Sequence, residues 1–368
     1  MTKIIEKRLE KFKKKLSANK IDTFLVIGSE NRFYLSGFNA QDTQIDESSG
    51  ALLITHDRLI IATDSRYVEQ AKIESPLFEV ICYKKGLSKE IPSILGTLNT
   101  KNLGFESKRM SFFNVQEFKK NISQAGISVK MTPTDDLIED LRIIKDASEI
   151  EKTKAALNVG ESAFKNIISK IKPGITERKI AWELEKGMRQ LGADSCSFPI
   201  IAASGPNSAL PHAIPGDRRL QAGEPILFDW GVKLEGYCSD TSRTIFLGKP
   251  DSTFKKVYST VLNAQKKAIG AIGPGISSKA IDAIARDYID SKGFKGKFGH
   301  GLGHGTGLAI HEKPRLSQLV DIILEPGMIF TVEPGIYLPG WGGVRIENQV
   351  VVRENGVEVL NDLEVDLH

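Results

Sequence analysis

An internal repeat in the C-terminal part of the chain constrains the fold more than any other sequence feature. The tetrapeptides Pro173-Gly174-Ile175-Thr176 and Pro274-Gly275-Ile276-Ser277 begin 101 residues apart, and each precedes a helical pattern of apolar residues. Thr176 and Ser277 stand where a helix N-cap belongs, because their hydroxyls can accept hydrogen bonds from the free N–H groups of a first helical turn. The repeat therefore predicts two helices in equivalent places.

The match between the two halves continues downstream with acidic residues. In each half an acid stands six residues after a glycine, and a second acid follows it. The four acids are Asp229 and Asp240 in the first half and Glu333 and Glu347 in the second. We expect each half to be a helix followed by strands that carry two carboxylates. We further expect the halves to pack about a pseudo-twofold axis with a site between them, since two units are too few for a solenoid.

The first 131 residues have a different pattern, in which short apolar runs alternate with helical ones. This alternation predicts an α/β domain, and a length of 368 residues favours about two domains. The pattern breaks at Thr132-Pro133, so we expect an N-terminal domain over 1–131 and a C-terminal domain over 132–368. The fold class is therefore α/β (α+β). Predicted strands are 21–27, 51–54, 59–62 and 78–81, and predicted helices are 65–73, 88–98 and 112–122.

Composition narrows the functional classes. No run approaches the ~18 apolar residues of a membrane span, and the N-terminus lacks the apolar region of a signal peptide, so we expect a cytoplasmic protein without a membrane partner. Three cysteines without a CxxC pair argue against a disulfide framework or a thiolate zinc site.

Residues 1–20 hold eight Lys or Arg and two Glu, a net charge of +6. Apolar residues at helical spacing favour a docked amphipathic helix there over a nucleic-acid or membrane surface.

Asp229 and Asp240 lie on two strand-like runs joined by a predicted turn. If Leu234-Glu235 forms the turn, the aspartates face each other; if Glu235-Gly236 forms it, they are diagonal neighbours. In either register the carboxylates share one face, with ~4.5–8 Å between their Cα atoms. Like charges so placed destabilise a hairpin unless a cation or a proton compensates them. We favour metal ligation over two solvent-exposed aspartates, because Asp229 follows an apolar run that we expect to be buried.

A segment rich in glycine and histidine spans 299–312. Glycine at every second position from 299 to 307 lets the backbone pass close to a ligand or adopt positive φ. The segment fits neither the dinucleotide motif GxGxxG, nor a Walker phosphate loop, nor the zinc motif HExxH. With these motifs excluded, the notable feature of the segment is its three histidines, His300, His304 and His311, on a glycine-rich backbone. Imidazole is the commonest metal ligand and a frequent acid or base, so we expect a functional role rather than a core role for them.

Glu333 and Glu347 each end an apolar, strand-like run. Either one alone would equally fit an ordinary strand-end glutamate, but the repeat pairs them with the two aspartates. Four carboxylates and one imidazole suit two divalent cations such as Mn²⁺, Co²⁺, Fe²⁺ or Zn²⁺, held ~3.5–4 Å apart.

His212 lies in a loop of Ser, Gly, Pro and Asn, where it fits a proton shuttle and a surface histidine equally well.

Taken together, these motifs resemble the pita-bread metallopeptidases, which include methionine aminopeptidase, aminopeptidase P, prolidase and the metal-free creatinase. The resemblance rests on HGLGHGTGLAIHE at 300–312, TVEPG at 331–335 and GVRIE at 343–347. Further segments resemble the N-terminal domain and the start of the catalytic domain in prolidase and aminopeptidase P: NRFYLSGF at 31–38, TDSRY at 63–67, and RIIKD at 142–146 with EI at 149–150. The resemblance implies a creatinase/prolidase-like N-terminal domain, which methionine aminopeptidases generally lack, and a C-terminal pita-bread domain.

The resemblance implies a metal-binding role for five residues. Asp229 would chelate one ion, Asp240 and Glu347 would bridge two ions, and His304 and Glu333 would complete the second site. The cofactor would be two divalent metal ions, with Mn²⁺ or Co²⁺ favoured over Fe²⁺ or Zn²⁺.

The resemblance also implies roles in catalysis. Hydrolysis would use a hydroxide held between the metal ions, and Glu333 would take a proton and pass it to the leaving proline nitrogen. His212 and His311 would hydrogen-bond the substrate carbonyl or the tetrahedral intermediate. His300 and Arg345 match positions that contact substrate or support the ligands.

The implied activity is hydrolysis of the Xaa-Pro bond at the N-terminus of dipeptides or short peptides. The motifs do not separate an Xaa-Pro dipeptidase from an aminopeptidase P, but the modest length favours the dipeptidase. The alternatives are a non-catalytic peptide- or protein-binding member of the fold and a creatinase-type amidinohydrolase. The complete ligand set weighs against both alternatives. Members of this branch are commonly homodimers, so we expect a homodimer that binds no nucleic acid.

Overall fold

The chain divides into two compact units, Met1–Arg142 and Ile143–His368. The computed structural model of the protein describes residues 2–42 and 48–364. The sequence placed the domain boundary between 131 and 132, which lies inside strand β6 (Lys130–Thr134). This strand pairs in parallel with its neighbour, with Gly104 opposite Thr132, so the first unit continues beyond the predicted boundary.

The first unit is built on a six-stranded mixed sheet of order β4-β3-β2-β1-β5-β6. The pairs β1–β2 and β2–β3 are antiparallel, and the other three pairs are parallel. This is the α/β arrangement that the alternating pattern predicted. Its elements are α1 (Thr2–Ala18), β1 (Thr23–Val26), α2 (Ser29–Ser36), β2 (Ala51–Ile54), β3 (Leu59–Thr63), α3 (Val68–Glu74), β4 (Glu79–Cys82), α4 (Leu87–Thr97), β5 (Asn102–Glu106), α5 (Phe112–Gln124), β6 and α6 (Glu139–Arg142).

The basic N-terminal helix α1 docks on this unit through its apolar face. Ile5, Leu9, Phe12 and Leu16 are all buried. The Phe12 ring packs edge-on against Phe24 of β1, with 5.1 Å between ring centroids. The structure therefore shows the docked amphipathic helix that the helical spacing predicted.

The second unit runs twice through the same order of elements, two helices and then strands. The first half contains α7 (Ala147–Ile168), α8 (Glu177–Gln190), β7 (Ser195–Cys196), β8 (Ile201–Ser204), a 3₁₀ turn (Gly205–Ala209), β9 (Pro225–Trp230), β10 (Val232–Leu234), β11 (Tyr237–Cys238) and β12 (Thr241–Phe246). The second half contains α9 (Ser252–Gly270), α10 (Ser278–Ile289), a π-helical turn (Asp290–Phe294), β13 (Gly303–Gly305), β14 (Glu312–Leu316), β15 (Ile329–Val332), β16 (Gly335–Leu338), β17 (Gly342–Arg345), β18 (Asn348–Arg353) and β19 (Gly356–Val359).

The strands of the second unit form four sheets. Their orders are β11-β10-β7, β12-β9-β8, β14-β13-β15-β18-β19 and β16-β17. Each half has its own apolar cluster between helices and strands. In the first half, for example, Trp230 of β9 stacks on Phe164 of α7 with 4.3 Å between ring centroids. Across residues 2–42 and 48–364, no helix is both long and apolar enough to cross a membrane.

The repeated Pro-Gly tetrapeptides cap equivalent helices, as the sequence predicted. The hydroxyls of Thr176 and Ser277 accept hydrogen bonds from backbone N–H groups three residues on, at 3.2 and 3.1 Å. Each cap residue also bridges to an extended segment of its own half, Thr176 to Arg219 and Ser277 to Ile323. The start of each helix is thereby fixed to the strands that follow it.

The hairpin that carries Asp229 and Asp240 turns at Glu235-Gly236, the second of the two predicted registers. These residues have φ values of 48° and 84°, as in the type I′ turn that suits the twist of a two-residue hairpin. Asp229 consequently lies opposite Ser242. The two aspartates are therefore diagonal neighbours on one face of the hairpin.

Candidate active site

A cleft of about 600 Å³ in the second unit brings together residues from both halves. All five predicted ligands line it: Asp229, Asp240, His304, Glu333 and Glu347. The other four candidates, His212, His300, His311 and Arg345, line the same cleft. Strands or strand ends supply all five ligands, so the sheets of the two halves fix their positions.

Asp229 lies near the end of β9 with its two carboxylate oxygens in different surroundings. Oδ2 accepts a hydrogen bond of 2.6 Å from Nη2 of Arg345. Oδ1 is buried and accepts no hydrogen bond from the part of the chain that the structure describes. A buried oxygen without a donor costs free energy, and a cation would remove that cost.

Asp240 and Glu347 are both buried, at 4% and 1% exposure. The Asp240 backbone N–H donates to the Gln349 side chain at 3.0 Å. Glu347 Oε2 accepts from the hydroxyl of Ser242 at 2.8 Å. Asp240, Glu347 and His304 each offer a ligand atom, and these atoms all lie within 4.8 Å of one another.

His304 presents Nε2 to the carboxylates. Its Nδ1 lies 3.2 Å from the carbonyl oxygen of Gly305, which can only accept, so Nδ1 carries the proton. Nε2, with its lone pair, lies 3.6 Å from Oδ2 of Asp240 and 3.5 Å from Oε1 of Glu333. This is the tautomer in which Nε2 can bind a metal.

The buried carboxylates of the cluster repel one another, so a positive charge among them would stabilise their ionised forms. Burial, together with repulsion from the neighbouring carboxylates, raises the pKa of Asp240 and of Glu347 well above their ordinary values. Burial also raises the pKa of Glu333 to about 8 and lowers the pKa of His304 to about 3. The isolated protein therefore favours protonated acids and a neutral imidazole. A divalent cation would stabilise the ionised acids and is compatible with the neutral imidazole.

The residues fit a metal centre. The donor set is four carboxylates and one imidazole nitrogen, which suits hard or borderline divalent cations. The donor-free oxygen of Asp229 supports the same conclusion, because a buried carboxylate oxygen otherwise finds a hydrogen-bond donor.

A hydrogen-bonded chain runs from Asp229 through Arg345 and Tyr337 to His300. Nη1 of Arg345 donates to the Tyr337 hydroxyl at 2.9 Å. That hydroxyl lies 2.8 Å from Nε2 of His300, whose Nδ1 donates to the Gly301 carbonyl. Burial lowers the pKa of His300 to about 4, so the ring is neutral and Nε2 accepts from the tyrosine. Arg345 and His300 therefore hold the wall of the cleft beside Asp229.

His212 and His311 are the exposed histidines of the cleft. The His311 ring stands edge-on to His304, with 4.4 Å between ring centroids. Partial burial and the nearby Arg315 guanidinium lower the pKa of His311, so it is neutral at neutral pH. Both side chains are accessible to a molecule in the cleft.

Sequence reasoning did not identify several residues that hold the site together. Ser242 could have been found, since it stands two residues after Asp240 and strand alternation puts both on one face. Tyr337 and Arg315 carried no comparable signal, because their neighbours in space come from distant strands. The other supporting residues are Gln349, bonded to the Asp240 backbone, and Thr331, whose hydroxyl lies 3.2 Å from Glu333 Oε1.

The paired halves and the cluster of acids and histidines at their centre define a pita-bread metallopeptidase. Residues 151–354 match Metallopeptidase family M24, and residues 8–144 match the Creatinase/Prolidase N-terminal domain. The chain belongs to Metallopeptidase family M24 and is a peptidase of the two-domain kind. The predicted fold, family and enzyme class are confirmed.

Similar proteins are known over nearly the whole chain. The Xaa-Pro dipeptidase of Pyrococcus furiosus is 38% identical over 99% of this chain and 100% of its own. The structure of an Xaa-Pro dipeptidase from Bacillus anthracis is 38% identical, with a TM-score of 0.93 and coverage of 99% of both chains. The structure of an X-Pro aminopeptidase from Thermotoga maritima is 37% identical, with a TM-score of 0.86 and coverage of 94% of this chain and 97% of the other.

Proposed function

We propose that this protein is an Xaa-Pro dipeptidase that hydrolyses the bond before proline with the help of two divalent metal ions. The observation that carries the proposal is the cleft itself. It joins the acid-and-imidazole cluster to apolar walls and is of a size suited to a small molecule. The apolar lining includes Phe198, Pro199, Ile200, Pro211 and Ile214, which suits the ring of a proline substrate.

Five side chains would hold the metal ions. They are Asp229, Asp240, His304, Glu333 and Glu347, which all line the cleft. Divalent ions bound there would lower the pKa of a water molecule and polarise the scissile carbonyl. We propose Mn²⁺ or Co²⁺ as the ions, with Fe²⁺ or Zn²⁺ as alternatives, because this donor set accepts all four.

The protein's own residues would handle the proton and the developing charge. Glu333 would accept a proton during attack on the carbonyl and deliver it to the proline nitrogen as that nitrogen leaves. His311 and His212, both accessible in the cleft, would donate hydrogen bonds to the carbonyl oxygen as its charge grows. Arg345 and His300 would act indirectly by holding Asp229 and the adjacent wall.

A dipeptide substrate is favoured over a longer peptide by the charge of Arg315. This exposed guanidinium lines the cleft, on the strand opposite His304. No acidic side chain within 2–42 or 48–364 forms an ion pair with it. The free carboxylate of an Xaa-Pro dipeptide would supply that partner, whereas in a longer peptide the proline carbonyl is an uncharged amide.

The test is a reconstitution assay. Metal-stripped protein is reloaded with Mn²⁺ or Co²⁺ and offered an Xaa-Pro dipeptide and an Xaa-Pro-Xaa tripeptide. We expect cleavage of the dipeptide, abolished by EDTA and by Asp240→Ala but retained by Asp287→Ala, an exposed acid on α10. Exclusive cleavage of the tripeptide would indicate an aminopeptidase instead. Full activity of Asp240→Ala, or of the EDTA-treated protein, would refute the metal mechanism.

We also propose a homodimer in the cytoplasm. Three cysteines without a CxxC pair suit a reducing compartment. The homodimer is proposed because the chain has the two-domain organisation of prolidase and aminopeptidase P, whose branch commonly forms homodimers. Light scattering coupled to size-exclusion chromatography would test it, and a monomer mass of 40.5 kDa would refute it.

A further inference from the structure

One wall of the cleft is a loop of the first half, residues 205–215. Five consecutive residues of this loop line the cleft: Pro211, His212, Ala213, Ile214 and Pro215. His212 is exposed, and the Ile214 side chain is 89% exposed at the mouth of the cleft. The loop therefore offers both a polar and an apolar contact to a bound molecule, and its position decides whether they reach it.

A single buried carboxylate joins the two ends of this loop. Glu177, the first residue of α8, is 1% exposed. Its Oε1 accepts from the backbone N–H and from the hydroxyl of Ser204, both at 2.8 Å, where the loop begins. Its Oε2 accepts from the Gly216 N–H at 3.3 Å, where the loop ends. The Asn207 amide, inside the loop, lies 3.2 Å from both oxygens.

The second half of the repeat shows that the architecture alone does not need this carboxylate. Ser278 occupies the equivalent first position of α10. Its backbone N–H bonds to the Ile322 carbonyl at 2.9 Å, just as the Glu177 N–H bonds to the Arg218 carbonyl at 3.0 Å. The Ser278 hydroxyl accepts from the Ile322 N–H at 3.0 Å. A short side chain thus suffices to fix the helix to the neighbouring segment, and the extra length of Glu177 serves the loop.

The middle of the loop is held by other contacts, from β17. Nη1 of Arg345 donates to the Pro211 carbonyl at 3.3 Å, and the Gly343 N–H donates to the Ser208 hydroxyl at 2.8 Å. Glu177 therefore holds the two ends of the loop, and the other contacts hold its middle, next to His212. Without the Glu177 contacts, the middle of the loop would stay attached but would shift.

We propose that Glu177 is a positioning residue that sets the place of His212 against the substrate. The inference rests on the proposed function, because His212 acts on the substrate only if the cleft binds one. A carboxylate is required at this position, since all its partners are donors. The isosteric Gln would turn an amide N–H₂ toward N–H groups.

The first experiment measures the stability of the loop and does not depend on enzyme activity. Hydrogen–deuterium exchange is compared between the wild-type protein and Glu177→Gln. We expect amides of 204–216 to exchange about 10-fold faster or more in the variant, with β9 and α10 unchanged. The matched control is Glu183→Gln, on the same helix, whose carboxylate pairs with Lys179 on the helix surface. Equal protection of the loop in the variant and the wild type would overturn the proposal.

The second experiment is a double-mutant cycle with metal-loaded protein and an Xaa-Pro dipeptide. We expect Glu177→Gln to lower kcat/KM roughly 10- to 100-fold in the wild-type background and less than about 3-fold in the His212→Ala background. Equal factors in both backgrounds would reduce Glu177 to a general structural role and refute the inference. Asn207→Ala removes the amide contact with the two Glu177 oxygens but leaves the Ser204 and Gly216 contacts, so it gives a milder second variant if Glu177→Gln folds poorly. If the wild type cleaves no such dipeptide, the proposed function fails, and the exchange experiment alone decides the role of Glu177.

Discussion

Removal of metal should make the second unit less stable as the pH rises above neutrality. The cause is the carboxylate cluster, where burial holds the pKa of Glu333 at about 8, against an ordinary value of 4.5. Between these two values the folded state binds more protons than the unfolded state. The free energy of unfolding therefore falls with rising pH, and the fall is complete only above the folded pKa.

The size of the effect follows from the two pKa values of Glu333. Between pH 7 and pH 9 this group alone removes about 1.4 kcal/mol of stability, which lowers the Tm of a unit of this size by roughly 3–6 °C. Asp240 and Glu347, whose pKa values are also raised, change stability in the same direction. The buried histidines add little in this window, because an unfolded histidine is already mostly neutral above pH 7.

The assay is thermal unfolding of EDTA-treated protein followed by tryptophan fluorescence. All three tryptophans, Trp182, Trp230 and Trp341, lie in the second unit, so the signal reports that unit alone. Saturating Mn²⁺ should remove most of the decline, and Glu333→Gln should weaken it, whereas Glu325→Gln, an exposed control, should not. A Tm that stays level or rises between pH 7 and 9 without metal, or an equal decline in Glu333→Gln and wild type, would refute the reasoning.

Three further predictions concern single side chains. Arg345→Met should lower kcat/KM at least 100-fold at saturating metal, because it removes the charged hydrogen bond that orients the buried Asp229 carboxylate; a fall below 10-fold would contradict this. Arg315→Gln should raise KM for an Xaa-Pro dipeptide about 10- to 100-fold but leave KM for the dipeptide amide unchanged, and an equal rise for both would exclude carboxylate binding. Gly303→Ala should lower Tm by roughly 4 °C or more, since its Cβ would overlap a backbone carbonyl. Gly299→Ala, with open space around it, is the matched control and should melt like wild type.

The sequence by itself determined the main outline of the protein. The repeated Pro-Gly tetrapeptides fixed two capped helices, because a cap and a helical apolar pattern act through local geometry. The alternation of strands and helices fixed an α/β first unit for the same reason. The spacing of acids within the repeat singled out Asp229, Asp240, Glu333 and Glu347 as candidate ligands.

The tertiary structure decided what depends on contacts between distant segments. The sequence left two hairpin registers open, and the positive φ of Glu235 and Gly236 selected one of them. The structure divides the chain after Arg142 and not near residue 132, because β6 pairs with β5 and a break in the sequence pattern does not reveal that pairing. Tyr337, Arg315 and the loop contacts of Glu177 gave no local signal either. Their partners lie far away in the chain, and only packing brings them into one cleft.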